Sequence, residues 1–206
     1  MPAEDRPQIT LITPPQVSLE TYPATLARVM DATPIACLRL ALAGRDEDHI
    51  ARVADALREI AHARDIPIVI DRHVLMVERL GLDGVHLPDG SRAVRKLRKD
   101  MGNDAIIGAY CGQTKHEGMS AGEAGADYVA FGPLGASALG DGAVADLDLF
   151  QWWSEIVEVP VIAEGGLTAE LVETFAPYTD FFAIGDEIWA FDDPVSALSD
   201  LTRALR

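Results

Sequence analysis

The chain has 206 residues, of which 49% are hydrophobic and 24% charged, and its formal net charge at pH 7 is −16. A chain of this length and composition can bury one sizeable core, so we expect one globular domain spanning residues 1–206. The negative charge argues against a nucleic-acid partner and against binding to anionic membranes. Any anionic substrate would therefore need cations or a divalent metal ion placed close to it.

The two cysteines, Cys37 and Cys111, lie in apolar runs. Their number and spacing give neither a disulfide framework nor a zinc site, so they predict buried thiols in a reducing compartment. The sequence shows no signal-peptide pattern and no apolar run of about 18 residues. These features predict a soluble cytoplasmic protein, and a homo-oligomer is compatible with them.

Short apolar runs alternate with amphipathic or small-residue segments along the whole chain. The predicted strands are residues 8–13, 34–42, 66–71, 84–88, 105–111, 127–133, 159–163 and 180–185. The predicted helices are residues 19–30, a segment after the turn 44–46 that contains Ile50 to Ala61, then 73–80, 92–101, 116–125, 146–157, 168–178 and 194–206. Residues 134–145 are rich in Gly and Ala and predict a loop.

This order gives eight strand–helix pairs in 206 residues. The strands are continuously apolar, as expected when both faces of a sheet are covered. The pattern predicts an α/β protein, a single (β/α)8 TIM barrel. A doubly wound parallel sheet is the alternative.

Polar side chains follow several predicted strands, at the end where such barrels carry their sites. Asp71 comes directly after the third apolar run, where a carboxylate either caps the next turn or binds a metal ion. His86 lies inside the fourth strand, which fits a hydrogen-bonded core histidine or a catalytic base. Trp152 and Trp153 are adjacent in a helix and predict packing at the outer edge of the barrel or a subunit contact.

A pair of glycines follows the seventh predicted strand. Gly165 and Gly166 stand between this strand and Thr168, which can cap the next helix. Glycine lets an anion approach the unpaired N–H groups at such a turn, so the segment predicts either a phosphate site or a tight strand–helix connection.

Four motifs in sequence resemble the thiamine phosphate synthase and TenI family. They are VIDR at 69–72, GLDGVHL at 81–87, AGEAGADYVAFGP at 121–133 and PVIAEGG at 160–166. The resemblance implies a (β/α)8 barrel of thiamine biosynthesis. Its main activity is a transferase reaction that joins hydroxymethylpyrimidine pyrophosphate to thiazole phosphate with Mg²⁺, giving thiamine phosphate and pyrophosphate. The TenI branch instead aromatises a thiazole phosphate tautomer without the metal ion.

Carried over residue by residue, the resemblance implies a set of site residues in this chain. Asp71 matches the metal-binding aspartate of the family, and Asp89 is a substitute for a second one. The implied catalytic residues are Arg39, Lys115 and His116, where His116 replaces a histidine lost after the fifth strand. The implied substrate- and phosphate-binding residues are Arg72, His86, Gly165, Gly166, Gly185 and Asp186.

Several family positions differ in this chain. Cys37 and Ala41 replace a glutamine and a lysine on either side of Arg39, and Ile70 replaces an asparagine. Residues 136–139 (ASAL) replace a Thr-x-Thr-Lys loop that grips the pyrophosphate, and Gly185-Asp186-Glu187 replaces a serine at the last strand end. These positions lose groups that would stabilise an anion.

Three hypotheses follow. The chain is a divergent thiamine phosphate synthase that binds small phosphorylated substrates and Mg²⁺. Alternatively, it is a thiazole tautomerase with His116 or His86 as the acid/base. The third hypothesis is a barrel that binds a ligand or a partner without catalysis.

Overall fold

Eight parallel strands close into a barrel in which each strand pairs with its neighbours in the sequence and β1 pairs with β8. This computed structural model describes residues 6–44, 46–140 and 142–205. The strands are β1 (Gln8–Ile12), β2 (Cys37–Leu40), β3 (Ile68–Asp71), β4 (Gly84–Leu87), β5 (Ile106–Tyr110), β6 (Tyr128–Phe131), β7 (Val161–Glu164) and β8 (Phe181–Ile184). The closed order confirms the (β/α)8 barrel, and the doubly wound alternative is wrong because β8 pairs with β1 rather than ending an open sheet.

Helices follow the strands and cover the outside of the barrel. They are α1 (Tyr22–Ala32), α2 (Glu47–His62), α3 (Val74–Leu80), α4 (Val94–Met101), α5 (Lys115–Ala124), α6 (Leu147–Ile156), α7 (Ala169–Phe175), α8 (Asp186–Trp189) and α9 (Pro194–Leu201). The predicted helix 168–178 is α7 followed by a 3₁₀ turn at Ala176–Tyr178, and the last predicted helix ends at Leu201 before a second 3₁₀ turn at Arg203–Leu205. The sequence prediction missed α8, because four residues show no helical period. Arg45, Asp141 and Arg206, which belong to the predicted turn 44–46, the loop 134–145 and the last helix, lie outside the described residues.

Side chains fix the beginnings of three helices. Asp46, Thr114 and Thr168 each accept a hydrogen bond from the backbone N–H three residues later, at 3.0, 3.3 and 3.3 Å. Such caps satisfy one of the N–H groups that a helix leaves unpaired at its start. The predicted cap at Thr168 is confirmed, and it sets where the chain turns after β7.

The largest aromatic cluster lies between the barrel and α6. The buried side chain of Trp153 packs edge-on against Phe131 of β6, with ring centroids 5.0 Å apart, and Phe131 also contacts Phe150. The Trp153 Nε1–H donates to the carbonyl of Val159 at 2.8 Å. Packing at the outer edge of the barrel is thus confirmed for Trp153, whereas Trp152 is half-buried and lies under the Lys115 ammonium.

Two contacts bring the beginning and end of the described chain together. Trp189 of α8 donates its Nε1–H to the carbonyl of Ile12 at 2.6 Å, beside the junction of β1 and β8. Arg6 donates to the carbonyl of Leu205 at 3.4 Å. Among the helices of the described residues, none is long and apolar enough to cross a membrane.

Candidate functional site

A cleft of about 830 Å³ opens at the carboxyl ends of the strands. Its walls include Ile12 at the end of β1 and Thr13 after it, Arg39 of β2, the loop 136–139 after β6, Glu164 at the end of β7 with the turn 165–168, and residues 185–187 after β8. This volume lies in the range of sites for small organic ligands. The cleft also lies at the end of the barrel where enzymes of this fold carry their sites.

Arg39 lies at the base of this cleft and contacts side chains of three other strands. Its Nη1 donates to Oε2 of Glu164 at 2.6 Å and lies 3.2 Å from Nε2 of His86, and its Nε lies 3.3 Å from Oδ1 of Asp71. Only 7% of the surface of Arg39 and 1% of the surface of Glu164 are exposed to solvent. Arg39 therefore links β2 to β3, β4 and β7 through buried polar contacts.

The protonation state of His86 follows from these contacts. A guanidinium only donates hydrogen bonds, so Nε2 of His86 accepts from Arg39, and the proton of the neutral ring is assigned to Nδ1. Nδ1 lies 3.0 Å from the hydroxyl of Tyr128 and donates to it. Burial and the charge of Arg39 lower the pKa of His86 well below its usual value. His86 is thus a neutral, hydrogen-bonded histidine inside the barrel, which is one of the two interpretations that the sequence left open.

The two carboxylates around Arg39 have unequal surroundings. Burial raises the pKa of Asp71 to about 6, although the charge of Arg39 works in the opposite direction. Burial would lower the pKa of the Arg39 guanidinium, but Glu164 and Asp71 outweigh it and hold that pKa above its ordinary value. Within the described part of the chain, Oδ1 of Asp71 and Oε1 of Glu164 are buried without a hydrogen-bond partner. Glu164 therefore retains an oxygen that can accept a further hydrogen bond, whereas Oδ1 of Asp71 faces the Nε of Arg39 in an ion pair.

The predicted site residues fall into two groups. Arg39, Gly165, Gly166, Gly185 and Asp186 line the cleft, as the resemblance implies. Asp71 and His86 do not line the cleft themselves, but both contact Arg39, which does.

The remaining predicted residues lie elsewhere at the rim. Asp89 and His116 are exposed, and Lys115 lies 4.4 Å from the centre of the Trp152 ring. Arg72 is exposed, has a left-handed backbone with φ of 65°, and lines a separate hollow at the start of α3. The structure therefore does not bring these four side chains into the cleft.

The glycine pair after β7 is packed against the loop that follows β6. The N–H groups of Leu134 and Gly135 donate to the carbonyl of Gly165 at 2.8 and 3.1 Å. Gly165 and Gly166 have φ of 86° and 67°, and a Cβ on Gly166 would lie 2.5 Å from the carbonyl carbon of Gly135. A close loop contact and left-handed backbone thus require glycine here, which matches the tight strand–helix connection.

Glu187 is a site residue to which the sequence assigned no role. Its Oε2 accepts from the N–H of Gly185 at 2.9 Å, and its Oε1 accepts from the N–H of Leu167 at 3.2 Å. One carboxylate thus bridges the chain segments after β7 and β8. The available signal was an acid two residues after a glycine at a strand end, since a Glu in the first turn of a helix can accept from the N–H of the residue that caps it.

The cleft is acidic. Among its described lining residues, Arg39 is the single cation, against Glu164, Asp186 and Glu187. The described residues contain no group of three or more His, Cys, Asp or Glu side chains that could hold a metal ion. A magnesium ion needs only one or two carboxylates when substrate phosphates complete its ligands. Asp71, whose side chain keeps 18% of its surface exposed, fits such a ligand, and Asp89 follows the adjacent strand β4.

A (β/α)8 barrel with a cleft at the carboxyl ends of its strands is the architecture of enzymes that act on small molecules. The family model described as thiamine monophosphate synthase matches residues 9–184 of this chain, which include all eight strands apart from Gln8. The chain belongs to this family of thiamine biosynthesis.

Individual relatives agree with this assignment. The chain is 36% identical to the thiamine-phosphate synthase of Rhodospirillum centenum, over 97% of this chain and 98% of that protein. It is 35% identical to the thiamine-phosphate synthase of Erythrobacter litoralis, with 90% of each chain covered. Among solved structures, thiamine phosphate pyrophosphorylase from Pyrococcus furiosus superposes with a TM-score of 0.82 at 19% identity, over 96% of this chain and 95% of that one.

Proposed function

We propose that this chain is a thiamine-phosphate synthase, a transferase that joins hydroxymethylpyrimidine pyrophosphate to thiazole phosphate and releases pyrophosphate. The observation that carries the proposal is the similarity along almost the whole chain to relatives of that name. The cleft supports it, because its volume suits small organic substrates and it opens at the catalytic end of the barrel.

The pyrophosphate-bearing substrate needs positive charge at its leaving group. Asp71 and Asp89, which follow the adjacent strands β3 and β4, would hold Mg²⁺. When bound, the ion supplies charge stabilisation for the departing pyrophosphate. Arg72, Lys115 and His116 follow β3 and β5 and are exposed, so they would contact the pyrophosphate from the rim.

Arg39 positions Asp71 in this proposal. Its Nε faces Oδ1 of Asp71 at 3.3 Å, and its Nη1 is held by Glu164 and His86. These partners fix the guanidinium, which in turn fixes one oxygen of the carboxylate toward the base of the cleft. The thiazole substrate would lie between the turn after β7 and the segment after β8, which form the opposite wall.

The direct test incubates the purified chain with both substrates and Mg²⁺ and measures thiamine phosphate by chromatography after conversion to a fluorescent thiochrome. We expect product that disappears with a chelator and returns with added Mg²⁺. Asp71→Asn should reduce kcat at least about tenfold, because it removes a metal-binding charge. Asp31→Asn, which changes an exposed aspartate paired with Arg64, is the matched control. If the unmodified chain makes no thiamine phosphate, the proposal is wrong.

We also assign this activity to the cytoplasm. The free thiols of Cys37 and Cys111 support a reducing compartment.

A further inference from the structure

The backbone donors at the ends of β7 and β8 already have an anionic partner. The Glu187 carboxylate accepts from the N–H of Leu167 with one oxygen and from the N–H of Gly185 with the other, at 3.2 and 2.9 Å. In barrels of this fold, the loops after the seventh and eighth strands are where phosphate groups frequently bind. A carboxylate that accepts two N–H bonds there uses donors that a phosphate would need.

We propose that Glu187 is a specificity-determining residue that competes with phosphate for this pair of donors. A phosphorylated thiazole then binds only by displacing the carboxylate. A thiazole with an uncharged hydroxyl group binds without displacing it, because the hydroxyl can donate a hydrogen bond to the carboxylate. The inference rests on the proposed function, since it concerns the thiazole partner of that reaction.

The charges around this pair of donors also oppose the binding of a phosphate group. Asp186 precedes Glu187 and also lines the cleft. Arg39, the single cation among the described lining residues, is shared between Glu164 and Asp71. An incoming phosphate therefore meets two carboxylates at the end of β8 and an arginine whose charge is already compensated. A neutral hydroxyl group meets no such repulsion.

The position of Glu187 allows the carboxylate to be displaced. The residue is half-buried, lies in the four-residue helix α8, and is held at its tip by the two backbone N–H groups. Its displacement would not open the core, because the neighbouring Ile188 is the buried residue of this helix. Phosphate binding would thus cost two hydrogen bonds and the movement of one charged side chain.

The test measures, by titration calorimetry on the full chain, the affinities for hydroxyethylthiazole and for its phosphate. Glu187→Ala should bind the phosphate about tenfold or more tightly than the unmodified chain, because two donors are freed and one repelling charge is removed. Its affinity for the alcohol should change less than about threefold. Glu187→Gln keeps the length of the side chain and serves if the alanine variant folds poorly. It should also favour the phosphate, since its amide cannot accept from both N–H groups.

Asp186→Asn separates the effect of freeing the two backbone donors from the effect of removing a negative charge. It removes the same charge from the same wall, but the Leu167 and Gly185 donors stay occupied by Glu187. We expect its gain in phosphate affinity to be smaller than that of Glu187→Ala.

Three results would overturn the inference. These are equal phosphate affinity in the Glu187 variants and the unmodified chain, an equal gain for alcohol and phosphate, or no measurable phosphate binding to Glu187→Ala. A purely structural role of Glu187 would weaken both ligands alike. The proposed function is judged separately by product formation. If the chain makes no thiamine phosphate but Glu187→Ala binds the phosphate more tightly, the proposed function is wrong and the competition stands. If the chain is active but Glu187→Ala does not bind the phosphate more tightly, the competition is wrong and the proposed function stands.

Discussion

Arg39 compensates two carboxylates that have little access to water. Glu164 and Asp71 lie 2.6 and 3.3 Å from its nitrogens, and all three side chains are mostly or fully buried. A buried ion pair adds little net stability, because desolvation of the charges offsets their attraction. The loss of one partner is costly, since it leaves an uncompensated charge in the interior.

We therefore expect Arg39→Met to lower the free energy of unfolding by about 3–5 kcal/mol, measured by urea denaturation. Arg64→Ala, which breaks the exposed pair with Asp31, is the control and should change it by less than about 1 kcal/mol. Adding Glu164→Gln to Arg39→Met should recover part of the loss, because one of the two unpaired charges is then removed. A loss from Arg39→Met no larger than that of the control would show that the carboxylates do not depend on this guanidinium.

At the scale of elements, the contact between the loop after β6 and the turn after β7 shapes one wall of the cleft. This loop packs so closely on Gly166 that an added Cβ would clash with its backbone, and the contact at Gly165 is also tight. The neighbouring residues 136–139 line the cleft, so a shift of the loop would change its shape.

This contact can be tested with two glycines that share a left-handed backbone. Gly166→Ala and Gly142→Ala both place a side chain at positive φ, 67° and 93°, but among the described residues a Cβ at Gly142 has no non-neighbouring atom within 4 Å. We expect Gly166→Ala to destabilise the protein by about 1–3 kcal/mol more than Gly142→Ala, because of the added steric clash. Thermal unfolding of the two variants measures the difference. Equal losses would mean that only the backbone conformation matters.

The sequence predicts these elements unequally well. The eight strands and the Thr168 cap follow from apolar runs and from residue types that act locally. Helix α8 is too short to show a period, so the sequence contains only the local signal of an acid after Gly185 and nothing that links Glu187 to the turn after β7. The pairing of Arg39 with Glu164 spans 125 positions and depends on the closure of the barrel. The resemblance supplied Arg39 and four residues after β7 and β8 that line the cleft, but it could not show that other implied site residues lie at the rim.

At the scale of the whole molecule, the net charge of −16 opposes the approach of anionic substrates. Salt screens this repulsion, since the Debye length falls from about 30 Å at 0.01 M to about 8 Å at 0.15 M. We expect KM for the pyrophosphate substrate to fall severalfold over this range of sodium chloride at constant free Mg²⁺, with little change in kcat. Affinity for the uncharged thiazole alcohol is the control and should stay constant. A rise in KM would show that cations near the rim, rather than the net charge, govern the encounter.

The contact between Arg6 and Leu205 has a consequence for the connectivity of the barrel. Because the guanidinium of Arg6 reaches the backbone carbonyl of Leu205, the two ends of the described chain are no further apart than one arginine side chain spans, and a short flexible linker could join them. A new break could then be placed at the exposed residues Asn103 and Asp104, between α4 and β5. Such circular permutation keeps every strand neighbour, since β1 already pairs with β8. The ring of strands has the same order wherever the polypeptide starts, so the permuted chain should fold to the same barrel.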